Sequence, residues 1–123
     1  MNKNILVAED DHFLASAYKM KLTKAGYDVD IASDGEEAIT LISKKIPDLI
    51  ILDLVMPNKD GFEVLKELKG RKEWANVPVI VASNLGQKED LDKAKSFGAN
   101  EFIIKSDLSM DNLLEKVAGH FTK

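Results

Sequence analysis

A chain of 123 residues with 45% hydrophobic content has the size and apolar material for one globular core and leaves no room for a second domain. Its net charge of −4, from 17 basic and 21 acidic residues mixed along the chain, gives no basic footprint for a phosphate backbone, so direct nucleic-acid binding is not expected. With no cysteine, disulfides, thiolate chemistry and Cys-ligated metals are excluded.

Met1-Asn2-Lys3-Asn4 leads straight into Ile5-Leu6-Val7-Ala8 and three acids, without the basic and apolar regions of a secretory leader. A cytoplasmic protein, one domain over residues 1–123, is expected. Ile5 to Ala8 reads as a strand. Phe13 to Ala25 reads as a helix, with Phe13, Ala17, Met20 and Leu22 at roughly helical spacing and Gly26 as its stop. Val29 to Ala32 is a second strand. Ser33-Asp34-Gly35-Glu36 resembles a capping box ahead of a helix carrying Ala38, Ile39, Leu41 and Ile42, and Pro47 lies just beyond it.

Leu49 to Leu52 is a third strand. Together with Leu54 to Met56 it forms the longest apolar run, which Asp53 breaks far short of the ~20 residues that a membrane span needs. A third helix runs from about Gly61 to Lys69, with Phe62, Leu65 and Leu68 inward and Gly70 as terminator. The stretch Lys66 to Lys72 reads as a solvated face of i,i+3 or i,i+4 charge pairs, and Trp74 as a residue packed at a loop edge. Val79 to Ala82 is a fourth strand. It precedes a helix from about Gln87 to Phe97, with Leu91, Ala94 and Phe97 inward and Gly98 closing it. Phe102 to Ile104 is a fifth strand, and Met110 to Phe121 a fifth helix carrying Leu113, Leu114, Val117 and Phe121, with Ser109 or Asp107 as its cap.

Four of the five strands are apolar at nearly every position, as in a parallel sheet covered on both faces. Strict β-α alternation with short connections implies right-handed crossovers and a doubly wound α/β fold, (βα)5, in the flavodoxin-like order 2-1-3-4-5. No repeat or low-complexity segment interrupts it.

In such a sheet ligands bind beyond the carboxyl ends of the strands. The first strand ends in Glu9-Asp10-Asp11, the third in Asp53, the fourth in Ser83 and the fifth in Lys105. Glu9, Asp10 and Asp53 at one place would repel each other unless a cation intervened, and hard oxygen ligands suit Mg²⁺. Lys105 would add positive charge and Ser83 a hydroxyl, both suited to the oxygens of a phosphoryl group in transfer, with the Asp53 carboxylate as nucleophile. Singly, Asp10, Asp11 and Ser83 also fit helix caps, and Lys105 fits a solvated surface lysine. Asp53, ending the most apolar strand, carries a desolvation cost that a structural role rarely explains. His12 and His120 have no metal-ligand spacing and read as surface or boundary residues.

Ile5-Leu6-Val7-Ala8-Glu9-Asp10-Asp11, Asp53-Leu54-Val55-Met56-Pro57 followed by Asp60-Gly61, Ser83, and Ile103-Ile104-Lys105 together resemble the response-regulator receiver domain over essentially the whole chain. Ala32-Ser33-Asp34-Gly35-Glu36-Glu37-Ala38 and Phe97-Gly98-Ala99 resemble further parts of that family. The resemblance implies two-component signalling, with Asp53 taking a phosphoryl group from a histidine kinase or a histidine phosphotransfer protein. It implies Mg²⁺ held by Glu9, Asp10, Asp53 and the Val55 carbonyl, and phosphoryl binding by Ser83 and Lys105. Ser83 and Phe102 would form the switch, reshaping the face of the fourth helix, fifth strand and fifth helix for a downstream target. Such a domain modifies itself and is not a turnover enzyme.

Three positions depart from the family pattern. Ser106 stands where proline is usual, often after a cis bond, and a cis Lys105-Ser106 bond would cost ~3 kcal/mol. Asn84 stands where Ala or Gly is preferred, narrowing access to the phosphoryl group or hydrogen-bonding to it. Apolar Val55 and Leu85 flank the site and should hinder an attacking water, so slow loss of phosphate is expected. The competing reading is a degenerate receiver acting as a phosphorylation-independent interaction module. A haloacid-dehalogenase-type phosphatase wants a second Asp at Val55, and a flavodoxin-like cofactor binder wants a phosphate loop at Glu9-Asp10-Asp11.

Overall fold

The computed structural model describes residues 2–121. Its elements alternate as β1 Asn4–Ala8, α1 His12–Lys24, β2 Asp28–Ala32, α2 Gly35–Lys44, β3 Leu49–Leu52, α3 Gly61–Gly70, β4 Val79–Ser83, α4 Lys88–Ser96, β5 Glu101–Ile104 and α5 Met110–Phe121. All pairings are parallel, and the order is β2-β1-β3-β4-β5. This is the flavodoxin-like α/β arrangement that the alternation predicts.

β1, β3 and β4 are buried at every position because helices cover both faces of the sheet. Ile5 and Val7, Leu49 and Ile51, and Ile80 and Ala82 pack with Tyr18 and Leu22 of α1 and Leu113 and Val117 of α5. The alternate residues Leu6, Ala8, Ile50, Leu52, Val79 and Val81 pack against α2, α3 and α4. β2 is an edge strand and shows it: Asp28 and Asp30 are exposed between half-buried Val29 and Ile31.

Helix ends follow local chemistry. Asp11 caps α1, accepting from the backbone N–H groups of Phe13 and Leu14 at 3.0 and 3.1 Å. The capping box of α2 sits one residue later than Ser33 suggests. Asp34 is the N-cap, accepting from Glu37 N at 2.8 Å, while the Glu37 carboxylate reaches back to Ser33 N at 2.6 Å. Asp60 caps α3, and Ser109, not Asp107, caps α5. Gly26 and Gly98 stop α1 and α4 with φ of 102° and 103°, a region open to glycine. Gly70 is the last residue of α3 and not a stop beyond it.

Three sequence readings need correction. α1 turns Ala15, Tyr18 and Leu22 to the core, leaving Phe13 at 91% and Met20 at 70% exposure. Both sets fit a helical period, and the set nearer the helix centre meets the sheet. Trp74 is a core residue, 4% exposed, with the Arg71 guanidinium 4.4 Å from its ring centroid. The stretch from Lys66 to Lys72 is only partly a solvated face. Glu67 pairs with Arg71 at 3.3 Å and Lys59 at 2.7 Å, but the Lys69 amine donates to the carbonyls of Ala75 and Val77 and ties down the loop before β4. Among the described residues no helix is long and apolar enough to cross a membrane.

Candidate phosphoryl-transfer site

The carboxyl ends of β1, β3, β4 and β5 converge on a cleft of about 410 Å³ lined by Glu9, Asp10, Asp11, Asp53, Val55, Ser83, Asn84, Leu85 and Lys105. Backbone pairing fixes the two central acids. Glu9 N donates to Ala32 O at 2.9 Å and Asp53 N to Ala8 O at 3.0 Å, so each acid continues the ladder just past its strand. Strand alternation then places Glu9, Asp53 and Lys105 on the α1/α5 side of the sheet, and Ser83 and Phe102 on the α4 side. Two functions are thus separated by one pleat.

The acids are deeply placed: Glu9 is 2% and Asp53 5% exposed. Lys105 Nζ lies 2.6 Å from Glu9 Oε1 and 2.8 Å from Asp53 Oδ2, balancing part of the buried negative charge. Asp11 N donates to Glu9 Oε2 at 3.1 Å, and Val55 N to Asp53 Oδ1 at 3.3 Å. Burial pushes the Glu9 carboxyl up against the hydrogen bonds from Lys105 and Asp11 that favour its charge. Burial also disfavours the Lys105 ammonium, but hydrogen bonds to Asp53 and Glu9, with their charges, outweigh it and hold its pKa above the ordinary lysine value.

Glu9, Asp10 and Asp53 each offer one carboxylate oxygen within 4.8 Å of the other two. Such a donor set fits a hard divalent cation, and the exposed Asp10 leaves one side open to water, as Mg²⁺ requires. Asp11, by contrast, is spent on capping α1. Ser83 is fully buried and its Oγ accepts from Leu85 N at 3.3 Å. Asn84 is exposed at the cleft, Val55 is 57% exposed, and Leu85 is half-buried. Phe102 is half-buried against the α2/α3/α4 core layer and borders a groove of about 330 Å³ between α4 and β5.

Gly61 explains how the loop after Asp53 closes. A Cβ there would lie 2.2 Å from Asp53 O, so only glycine lets α3 begin against the acceptor strand. Asn58, at φ 67°, donates to Asp34 Oδ2 at 2.6 Å and ties this loop to the start of α2. After β5 the chain enters a 3₁₀ turn over Lys105–Asp107, and no peptide bond among the described residues is cis, including Lys105-Ser106. His12 is exposed, and His120 Nε2 lies 3.1 Å from Glu101 Oε2 at the α5 boundary. Neither joins the cleft. The sequence reading overlooked Tyr18, whose hydroxyl is buried within electrostatic reach of Glu9 and Asp53; only a phenol at an inward α1 position could have marked it.

The profile of the response regulator receiver domain family matches residues 5–118, and the chain belongs to that family, which serves two-component signalling. The alkaline phosphatase synthesis transcriptional regulatory protein PhoP of Bacillus subtilis is 37% identical over 107 residues. That match takes in 85% of this chain and 43% of PhoP, so the chain spans less than half the length of this curated relative. Among solved structures, the receiver domain of Francisella response regulator 1452 is 35% identical with a TM-score of 0.89, covering 98% of this chain and 97% of that one. The BeF3-activated N-terminal receiver domain of RstA from Klebsiella pneumoniae is 26% identical with a TM-score of 0.88, covering 98% and 99%.

Proposed function

We propose that this receiver is a phosphorylation switch in which Asp53 accepts a phosphoryl group, and that Glu9, Asp10, Asp53 and the Val55 carbonyl hold Mg²⁺. The observation that carries this is the Lys105 amine bridging Asp53 and Glu9 beside three convergent carboxylates. Bound Mg²⁺ supplies positive charge that screens the acids from an anionic donor.

Asp53 is the nucleophile: a carboxylate oxygen forms a bond to phosphorus as the P–N bond of a phosphohistidine breaks, and the leaving imidazole takes up a proton from solvent. Lys105 stands ready to exchange a carboxylate oxygen for a phosphoryl oxygen, and the buried Ser83 hydroxyl to donate to another. Drawing Ser83 toward the new anion empties space on the α4 side, which Phe102 can follow. Interactions made only in that state bias a two-state surface formed by α4, β5 and α5. The partners are a cytoplasmic histidine kinase or histidine phosphotransfer protein and a downstream target on that surface.

The test is intact mass after incubation with phosphoramidate or acetyl phosphate and Mg²⁺, with Asp53→Asn alongside. A Mg²⁺-dependent gain of about 80 Da that is absent in the variant supports the reading. No gain in the folded wild-type chain replaces it with a phosphorylation-independent interaction module. Apolar Val55 and Leu85 line the water approach, so the phosphate should be lost over minutes or longer once the donor is removed; decay in seconds contradicts that.

A further inference from the structure

Tyr18 carries a polar group that the fold does not use. Its side chain is 1% exposed, and its hydroxyl is the one buried side-chain polar atom among the described residues without a hydrogen-bond partner. A buried donor left unpaired bears the full desolvation of that group, and phenylalanine would fill the same space without it.

The position of the ring gives the hydroxyl a context. Tyr18 packs in the layer of Val7, Ile51 and Ala82, roofed by α5 through Leu113 and Val117. Two residues beyond Val7 and Ile51 stand Glu9 and Asp53, whose side chains continue that face of the sheet. The phenol therefore lies in the apolar layer that leads into the acid cluster. Burial holds its pKa well above the ordinary tyrosine range, and the negative charges of Glu9 and then Asp53 push it further. Both carboxylates act on this hydroxyl across a dry interior.

Glu9 has two donors in this state, the Lys105 amine on Oε1 and the Asp11 amide on Oε2. The switch reading above, on which the present inference rests, moves Lys105 toward a phosphoryl group. Glu9 would then keep a single backbone donor while buried.

We propose that the Tyr18 hydroxyl is a reserve donor to Glu9, unpaired in the resting state and engaged when Lys105 turns to a phosphoryl group on Asp53. Tyr18 is then a positioning residue, since it touches neither phosphorus nor donor and acts by orienting Glu9. Because the hydroxyl is unsatisfied in one state and satisfied in the other, it also biases the equilibrium toward the activated form.

The experiment compares wild type and Tyr18→Phe in urea unfolding, first with Mg²⁺ alone and then with Mg²⁺ plus beryllium trifluoride as a phosphoryl mimic. With Mg²⁺ alone the variant should be at least as stable as wild type, because an orphan hydroxyl has been removed. With the mimic the order should reverse, and the variant should bind beryllium trifluoride about five- to tenfold more weakly, as expected for one neutral hydrogen bond. A passive core hydroxyl would shift both conditions equally and leave that affinity unchanged, which overturns the proposal. A variant already less stable with Mg²⁺ alone also overturns it, since the hydroxyl would then have a resting partner. If wild type gains nothing from the mimic, the switch reading itself fails and this inference falls with it.

Discussion

Lys105 Nζ lies 2.8 Å from Asp53 Oδ2 although their strands are not neighbours: β4, ending in the buried Ser83, runs between them. The lysine stem bridges that gap, and a shorter side chain could not bring a positive charge to both Asp53 and Glu9.

Removing that charge should therefore cost stability as well as function. Lys105→Met leaves two buried carboxylates without their cation and is expected to destabilise the fold by about 3 kcal/mol in the presence of EDTA. Mg²⁺ should recover much of the loss. Urea midpoints with and without the ion test this; a variant as stable as wild type in EDTA would show that the pair is balanced by solvent.

Acid and base should act on Glu9 in a definite direction. Its folded pKa is raised above the ordinary 4.5, chiefly by burial, so over that window the folded chain binds more protons than the unfolded one. The Glu9 contribution is then favourable at low pH and is lost as pH rises from 4.5 through the folded value. Glu67 runs the opposite way: held down first by the Lys59 hydrogen bond, it contributes above 4.5 and loses that contribution as pH falls through its lowered value. Unfolding curves without divalent ion should show Glu9→Gln losing the first trend and keeping the second; parallel curves for variant and wild type would refute the assignment.

Two glycines should respond oppositely to the same substitution. Gly61→Ala forces a methyl group onto the Asp53 carbonyl and is expected to cost about 2–3 kcal/mol and to slow phosphorylation. Gly119→Ala, inside α5 with nothing within 4 Å, should gain about 0.8 kcal/mol through helix propensity. Thermal unfolding of the pair would show whether the close approach is as tight as the backbone indicates.

On α1, Phe13→Ala should change stability by less than about 0.5 kcal/mol, whereas Leu22→Ala should cost about 2–5 kcal/mol. Phe13 is 91% exposed and Leu22 fully buried, and a large loss from Phe13→Ala would reverse the face assigned to this helix.

Strand order and the cleft residues were legible because each strand is a dense apolar run that ends abruptly in a polar group. Asp53, Ser83 and Lys105 stand out against Ile51-Leu52, Val81-Ala82 and Ile103-Ile104. The α1 face was not legible, since Phe13, Ala17 and Met20 satisfy the helical period as well as Ala15, Tyr18 and Leu22 do. Periodicity fixes a spacing but not which stripe meets the sheet. Trp74 and Lys69 were misplaced for a related reason. Each sits in a strongly charged stretch, and its burial comes from long-range packing of the loop before β4, which no local pattern encodes. The shift of the capping box by one residue reflects two adjacent residues, Ser33 and Asp34, both able to cap.

The sheet order also sets a sequence of assembly. β1 lies between β2 and β3, β4 adds to β3, and β5 adds to β4. A chain emerging from its N-terminus can thus pair its first three strands early, but Glu9 and Asp53 then share a corner without a counter-charge. β5 brings that charge on Lys105, so the outermost strand is also the one that makes the acid corner tolerable. A nascent or truncated chain is held back from stable closure around Asp53 until its end has arrived, and a half-built acceptor is not displayed.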